Sequence, residues 1–228
     1  MKKCFVFTFI FALINFAPHI RAMQLDFTIF DPHNNIFSHP SHITWNASTI
    51  LESQRQDFIT SLSTPSSPDC HFLALRCPSW INDQDLVDIA QACPLVHYLD
   101  FTDCKKISAK GFLQSLPKFI RLVTLMLNGT NITTLNFHPN TQKTLMYFFA
   151  NGCEQIQDFL PLIYCESLRT AELYKTNITN AILLHILLDT QVQQLDIVDC
   201  PNITTSTIET ITKDYSENRS ISFSPKYD

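Results

Sequence analysis

The sequence predicts an α/β repeat solenoid, a short, curved, right-handed array of parallel strands with helices or turns on its convex side. Three observations predict it. First, one spacing recurs five times: apolar, two variable, apolar, one variable, apolar, two variable, then Cys or Thr. The copies are Val96–Leu99–Phe101–Cys104, Leu122–Leu125–Leu127–Thr130, Leu145–Phe148–Ala150–Cys153, Leu168–Ala171–Leu173–Thr176 and Val192–Leu195–Ile197–Cys200. Second, an isoleucine follows each copy within two or three places, at Ile107, Ile132, Ile156, Ile178 and Ile203. Third, the step is nearly constant. A weaker copy at Phe72–Ala74–Cys77 and a terminal one at Ile221–Phe223 extend the series, and from Cys77 the steps are 27, 26, 23, 23 and 24 residues.

Alternation within each copy puts residues such as Leu99 and Phe101 into a core and turns Asp100 and Thr102 outward. A single copy has no means of covering its own apolar side, so neighbouring copies must stack.

Taken in chain order, residues 1–22 read as a secretory signal peptide. Lys2 and Lys3 precede the apolar stretch Cys4–Ala17, and His19–Ala22 gives a polar exit ending on a small residue. The stretch is shorter than the ~20 residues that cross a bilayer. Removing it leaves 13 basic and 21 acidic residues, shifting the net charge from −5 to −8. The mature product is expected to be secreted or periplasmic, with no membrane attachment.

Residues 23–69 are expected to cap the first repeat. Met23–Thr44, with Pro32 and Pro40, lacks a helical period and reads as extended or loop-like. A helix starting at Asn46 or Ser48 would run through Leu62 on a stripe of Ile50, Leu51, Phe58, Ile59 and Leu62. Ser63–Asp69, with Pro65 and Pro68, ends it. Residues 70–228 form the repeat domain, with about six to seven repeats. Within it, Asn82 is placed to cap a helix through Ala92, and Asn180 to cap the apolar run Ala181–Leu188. Thr133–Gln142, with Pro139, reads as a tight turn.

The spacing closely resembles the leucine-rich repeat, L-x-x-L-x-L-x-x-N/C-x-L. The closing Cys, the trailing isoleucine, and "A-C-P" or "Y-C-E" before the next strand resemble its cysteine-containing subfamily, best known from F-box ubiquitin-ligase adaptors. The resemblance covers residues 70–226 and implies protein binding without a cofactor. It stops at the repeats: residues 23–69 offer one helix, where an F-box needs three.

Composition removes several function classes. The three glycines, Gly111, Gly129 and Gly152, are too far apart to build a phosphate-cradling loop. An acidic chain without a clustered basic face is not a nucleic-acid binder. Cys77, Cys104, Cys153 and Cys200 fall at the template position that points inward, and Cys93 and Cys165 share a second phase. Buried thiols and disulfides are both open to an exported chain, but Thr130 and Thr176 replace Cys without orphaning a partner, which favours thiols. Cys70 is off-phase and is the candidate for a bridge or a surface thiol. His33, His39 and His42 beside Asp31 lack a metal-site spacing and read as solvated loop residues. Glu172 and Asp196 on adjacent strands suggest an acid/base pair, yet an open sheet gives no desolvated pocket to tune them. The chain is not expected to be an enzyme.

Six N-x-S/T sequons occur, at Asn46, Asn128, Asn131, Asn177, Asn202 and Asn218, either as glycan acceptors or as a consequence of Asn/Thr/Ile-rich composition. The outward strand positions carry the functional expectation. Tyr98, Asp100, Met126, Tyr147, Phe149, Glu172, Tyr174 and Asp196 form a surface with an aromatic middle and carboxylate flanks, the pattern of a protein interface. Ordinary strand-surface aromatics, or cover by the chain's own residues 23–47, would look the same. The reading is an exported protein–protein interaction module, with another protein, such as a host-cell protein, as its partner. A self-associating envelope scaffold is the alternative; a ubiquitin-ligase substrate adaptor and a metal-dependent enzyme rank below it.

Overall fold

The computed structural model describes residues 43–48, 50–63, 73–215 and 219–223. The expected signal peptide, the histidine cluster, Cys70 and the Asn218 sequon lie outside the described residues.

Eight strands form one parallel sheet in chain order: β1 (Ile43–Asn46), β2 (Leu73–Arg76), β3 (Tyr98–Asp100), β4 (Thr124–Met126), β5 (Tyr147–Phe149), β6 (Thr170–Glu172), β7 (Gln194–Asp196) and β8 (Ser220–Ser222). The sheet is not closed into a barrel, and its order fits a repeat solenoid. The connections carry α1 (Arg55–Ser63), α2 (Asp83–Ala92), α3 (Ala109–Ser115), α4 (Pro139–Thr144), α5 (Asn180–Asp189) and α6 (Thr205–Tyr215). Short 3₁₀ turns lie at Glu52–Gln54, Leu116–Lys118 and Leu160–Tyr164.

Each position of the repeated spacing becomes a layer of the core. The strand centres Leu75, Leu99, Leu125, Phe148, Ala171 and Leu195 lie side by side and are buried. Phe101, Leu127, Ala150, Leu173 and Ile197 form the next layer, and Ile107, Ile132, Ile156, Ile178 and Ile203 another. The widest repeat, between β3 and β4, receives Phe112 and Phe119 from its connection, and the β5–β6 connection contributes Phe159, all fully buried.

The closing Cys or Thr does two jobs. It fills a small buried space, and its side chain donates to a carbonyl at the strand level. Cys153 Sγ reaches the Leu127 carbonyl at 2.9 Å and Cys200 Sγ the Leu173 carbonyl at 3.0 Å. Thr176 Oγ1 donates to the same Leu173 carbonyl at 2.8 Å. A small side chain with one donor is what the site needs, which is why Cys and Thr interchange. The six described cysteines are free and buried. Just before this position each repeat turns through a left-handed residue: Asp103 (φ 61°), Gly129 (66°), Gly152 (71°), Lys175 (52°) and Asp199 (56°). Just after it, Asn131, Asn177 and Asn202 donate their side-chain amides to the carbonyls of Lys105, Glu154 and Asn177 in the preceding repeat. Three of the sequon asparagines therefore belong to a structural ladder.

Four expectations need correction. The first copy is phased three residues later than expected: Leu75 pairs with Leu99, and the Cys77 amide continues the ladder to Asp100 as Phe101 does to Met126. Cys77 thus sits in the Phe101 layer, and Trp80 follows where later repeats have Cys or Thr. Residues 43–46 are a strand paired to β2, and the cap helix begins only at residue 55 after a 3₁₀ turn. Thr179, rather than Asn180, caps α5 by accepting from the Ile182 amide. Asn180 instead bonds Thr204 of the following repeat. Finally, Pro139 starts a six-residue helix, because at the first helical position its missing N–H costs nothing and the His138 ring caps the turn.

The Asn82 cap holds as expected, with a capping box closed by Asp85. That aspartate also fastens α1: Arg55 Nε and Nη2 reach its two oxygens at 2.6 Å each. Phe58 packs edge-on to Trp80 at 6.0 Å, and Trp80 Nε1 donates to the Ile50 carbonyl.

Candidate binding face

Because side chains alternate along a strand, the residues flanking each buried strand centre share the face opposite the core. The register aligns them into two rows. One runs Tyr98, Thr124, Tyr147, Thr170, Gln194 and Ser220; the other runs Arg76, Asp100, Met126, Phe149, Glu172, Asp196 and Ser222. Neighbours in a row are separated by about one strand spacing, roughly 4.8 Å. Thr102, Asn128, Asn151, Tyr174 and Val198 continue the face beyond the strand ends.

Six of the eight expected residues, Tyr98, Met126, Tyr147, Glu172, Tyr174 and Asp196, are partly exposed on this face. The other two are placed differently. Phe149 is only 8% exposed, so its ring forms the floor of the face and does not project from it. Asp100 is 3% exposed; its Oδ2 lies 3.2 Å from Arg76 Nε, and its Oδ1 accepts from the Thr102 amide. Its charge is met within the molecule.

The remaining polar groups are oriented by the face itself. Tyr98 donates its hydroxyl to Met126 Sδ at 2.9 Å, and burial beside Asp100 holds the phenol above its ordinary pKa. Asn151 donates to Glu172 Oε2 at 2.8 Å, while its own carbonyl oxygen accepts from the Tyr174 amide. Asp196 Oδ1 accepts from the Val198 amide at 3.1 Å. Lys175 lies over the Tyr174 ring at 5.1 Å, and contact with Tyr174 raises its pKa.

Sequence reasoning missed Arg76, and of Asn128 and Asn151 it gave the outward placement but not the hydrogen bonds that link them. Arg76 was findable: phasing the first copy on Leu75 aligns it with Asp100. The asparagines recur at one template position, a regularity that alone points to a ladder; Asn128 Oδ1 accepts from the Asn151 amide. Among the described residues, no group of three His, Cys, Asp or Glu side chains is placed to hold a metal ion, and no helix is long and apolar enough to cross a membrane.

No family model matches the chain. A curated relative, F-box/LRR-repeat protein 4 of Bos taurus, is 26% identical over 144 residues, covering 59% of this chain and 23% of the relative. The chain thus spans about a quarter of that protein's length. The similarity suggests a relationship of the leucine-rich-repeat type.

Proposed function

We propose that the chain is a leucine-rich-repeat solenoid of the cysteine-containing type that binds another protein through its concave strand face. The observation that carries this reading is the in-register face itself, where Tyr147, Tyr174 and Met126 are partly exposed around a buried Phe149. Aromatic side chains with few rotatable bonds, ringed by polar groups, are the composition of interface centres. The similarity to a repeat-bearing relative agrees with it. Export is part of the proposal and rests on the basic, apolar, small-residue order of residues 1–22. Six buried thiols suit either redox compartment, since the described core uses no disulfide.

The test is a pull-down with the wild-type chain and the Tyr147→Ser/Tyr174→Ser variant, both checked for folding by circular dichroism. Loss of the captured partner with the variant is expected, by about 2 kcal/mol or more per anchor. Equal capture by both would move the interface off this face. A mass that rises with concentration and no captured partner would favour the self-associating scaffold.

A further inference from the structure

Read along the second row, the formal charges are positive at Arg76, negative at Asp100, neutral at Met126 and Phe149, and negative at Glu172 and Asp196. The β2–β3 end neutralises itself through the Arg76–Asp100 pair. The β6–β7 end does not. Glu172 and Asp196 are register partners on adjacent strands, and neither is in an ion pair with a described residue. Like charges directly opposite on one sheet face repel, so the pairing costs stability in the free protein. Each carboxylate is nevertheless held in place by one internal donor, Asn151 for Glu172 and the Val198 amide for Asp196. The nearby cation, Lys175, is engaged with Tyr174 and lies in the field of Asp199 and Glu154.

The same chain shows what completes such an arrangement. Arg55 forks onto Asp85 and lies over the Trp80 ring at 5.9 Å; Arg76 meets Asp100. In both, a guanidinium answers a carboxylate, and in the first an aromatic ring flanks it. Around Glu172 and Asp196 the register likewise gathers aromatic residues: Phe149 opposite Glu172 on β5, Tyr147 two residues before it on the same strand, and Tyr174 two residues after Glu172.

We propose that the β6–β7 end of the strand face receives an arginine of the partner protein, its guanidinium seated on Glu172 and Asp196 beside Tyr147 and Tyr174. This rests on the strand face being the binding surface. Arginine fits better than lysine because its planar fork matches two oriented carboxylate oxygens and stacks on aromatic rings. Anchoring on one side chain also explains how an acidic protein would choose a basic partner segment at a defined point of its face.

The test is selection of a random dodecapeptide library against the immobilised full-length protein. The Glu172→Gln/Asp196→Asn and Tyr147→Ser/Tyr174→Ser variants are screened in parallel. Retained peptides are expected to be enriched in arginine, and each should bind about tenfold or more weakly when that arginine is replaced by its neutral isostere citrulline. The same loss is expected with unmodified peptide on the Glu172→Gln/Asp196→Asn protein. The citrulline comparison leaves the protein untouched, so it does not depend on how the variant folds. Peptides that lose binding to the tyrosine variant, yet carry no arginine or tolerate citrulline, overturn the arginine seat and leave the face reading standing. Peptides indifferent to both variants, or no retained peptide at all, overturn both.

Discussion

The junction of α1 with the first repeat is built quite differently from the stacking of one repeat on the next. In the central repeats the same modest contacts recur: a strand centre in the core at every step and, at several of them, a Cys or Thr donating to a carbonyl and an asparagine reaching back to the preceding turn. At the α1 junction, a single concentrated set replaces them. Trp80 stands where later repeats have Cys or Thr, packs against Phe58 and donates to Ile50, while Arg55 forks onto the buried Asp85. A repeat with a matching neighbour is satisfied by many small identical contacts. One that faces an irregular neighbour needs a large, specific one, and its loss should be felt locally.

The largest expected effect tests the repeated side of this contrast. Phe148→Ala empties a fully buried ring at the middle of the sheet and should cost about 3–5 kcal/mol. A urea titration should show the whole central array melting at lower denaturant, since neighbouring repeats lose a shared wall. Next is Arg55→Met, which strands Asp85 at 4% side-chain exposure. Removing one partner of a fully buried pair costs about 3–5 kcal/mol, and with Arg55 one-third exposed about 2 kcal/mol is expected. Hydrogen exchange should then speed up in α1 and the start of α2 and leave the strands β4 to β7 protected; uniform acceleration would erase the distinction between junction and stack.

Smaller effects sharpen the account of the repeats. Cys153→Val has the shape of the threonine found in neighbouring repeats but removes the donor to the Leu127 carbonyl, at a cost of about 1 kcal/mol. Cys153→Thr, which copies the neighbouring Thr130, should cost less than the valine; the reverse order in thermal melts would mean that apolar character, not donation, selects this position. The last effect vanishes at neutral pH. Burial pushes the Cys93 thiol up to about 11 and those of Cys104 and Cys165 up to about 12, from 9.0. The folded state therefore holds these protons more tightly than the unfolded chain. Their contribution is fully present below pH 9 and is lost as pH rises toward 11 and 12. Denaturation midpoints should fall across that window, and thiolate absorbance at its lower end should stay low until the protein unfolds.

Much of the fold was legible because each repeat places one apolar residue at each core layer, and layers show as a period. Five strands follow from that alone, and the Asn82 cap from a capping residue set just ahead of an apolar stripe. What escaped was set by partners outside the local pattern. β1 has no repeat spacing of its own and becomes a strand by pairing with β2. The first copy was misphased because Cys77 imitates the closing Cys while lying three residues early, and that shift concealed Arg76 from Asp100. Of the face, the residues and their adjacency were readable from alternation. The burial of Phe149 and the pairing of Asp100 were not, since both depend on side chains one strand away.

The strict chain order of the sheet has a mechanical consequence. Every strand from β2 to β7 is bonded to the repeats immediately before and after it, so tension applied at the two ends has no shortcut around a repeat. Under load the array should yield from an end, one repeat at a time. Strand centres are 24, 26, 23, 23 and 24 residues apart from Leu75 to Leu195. Each rupture would therefore release about 80 Å of chain, giving a force trace with near-equal teeth where an interlocked fold would give a single break.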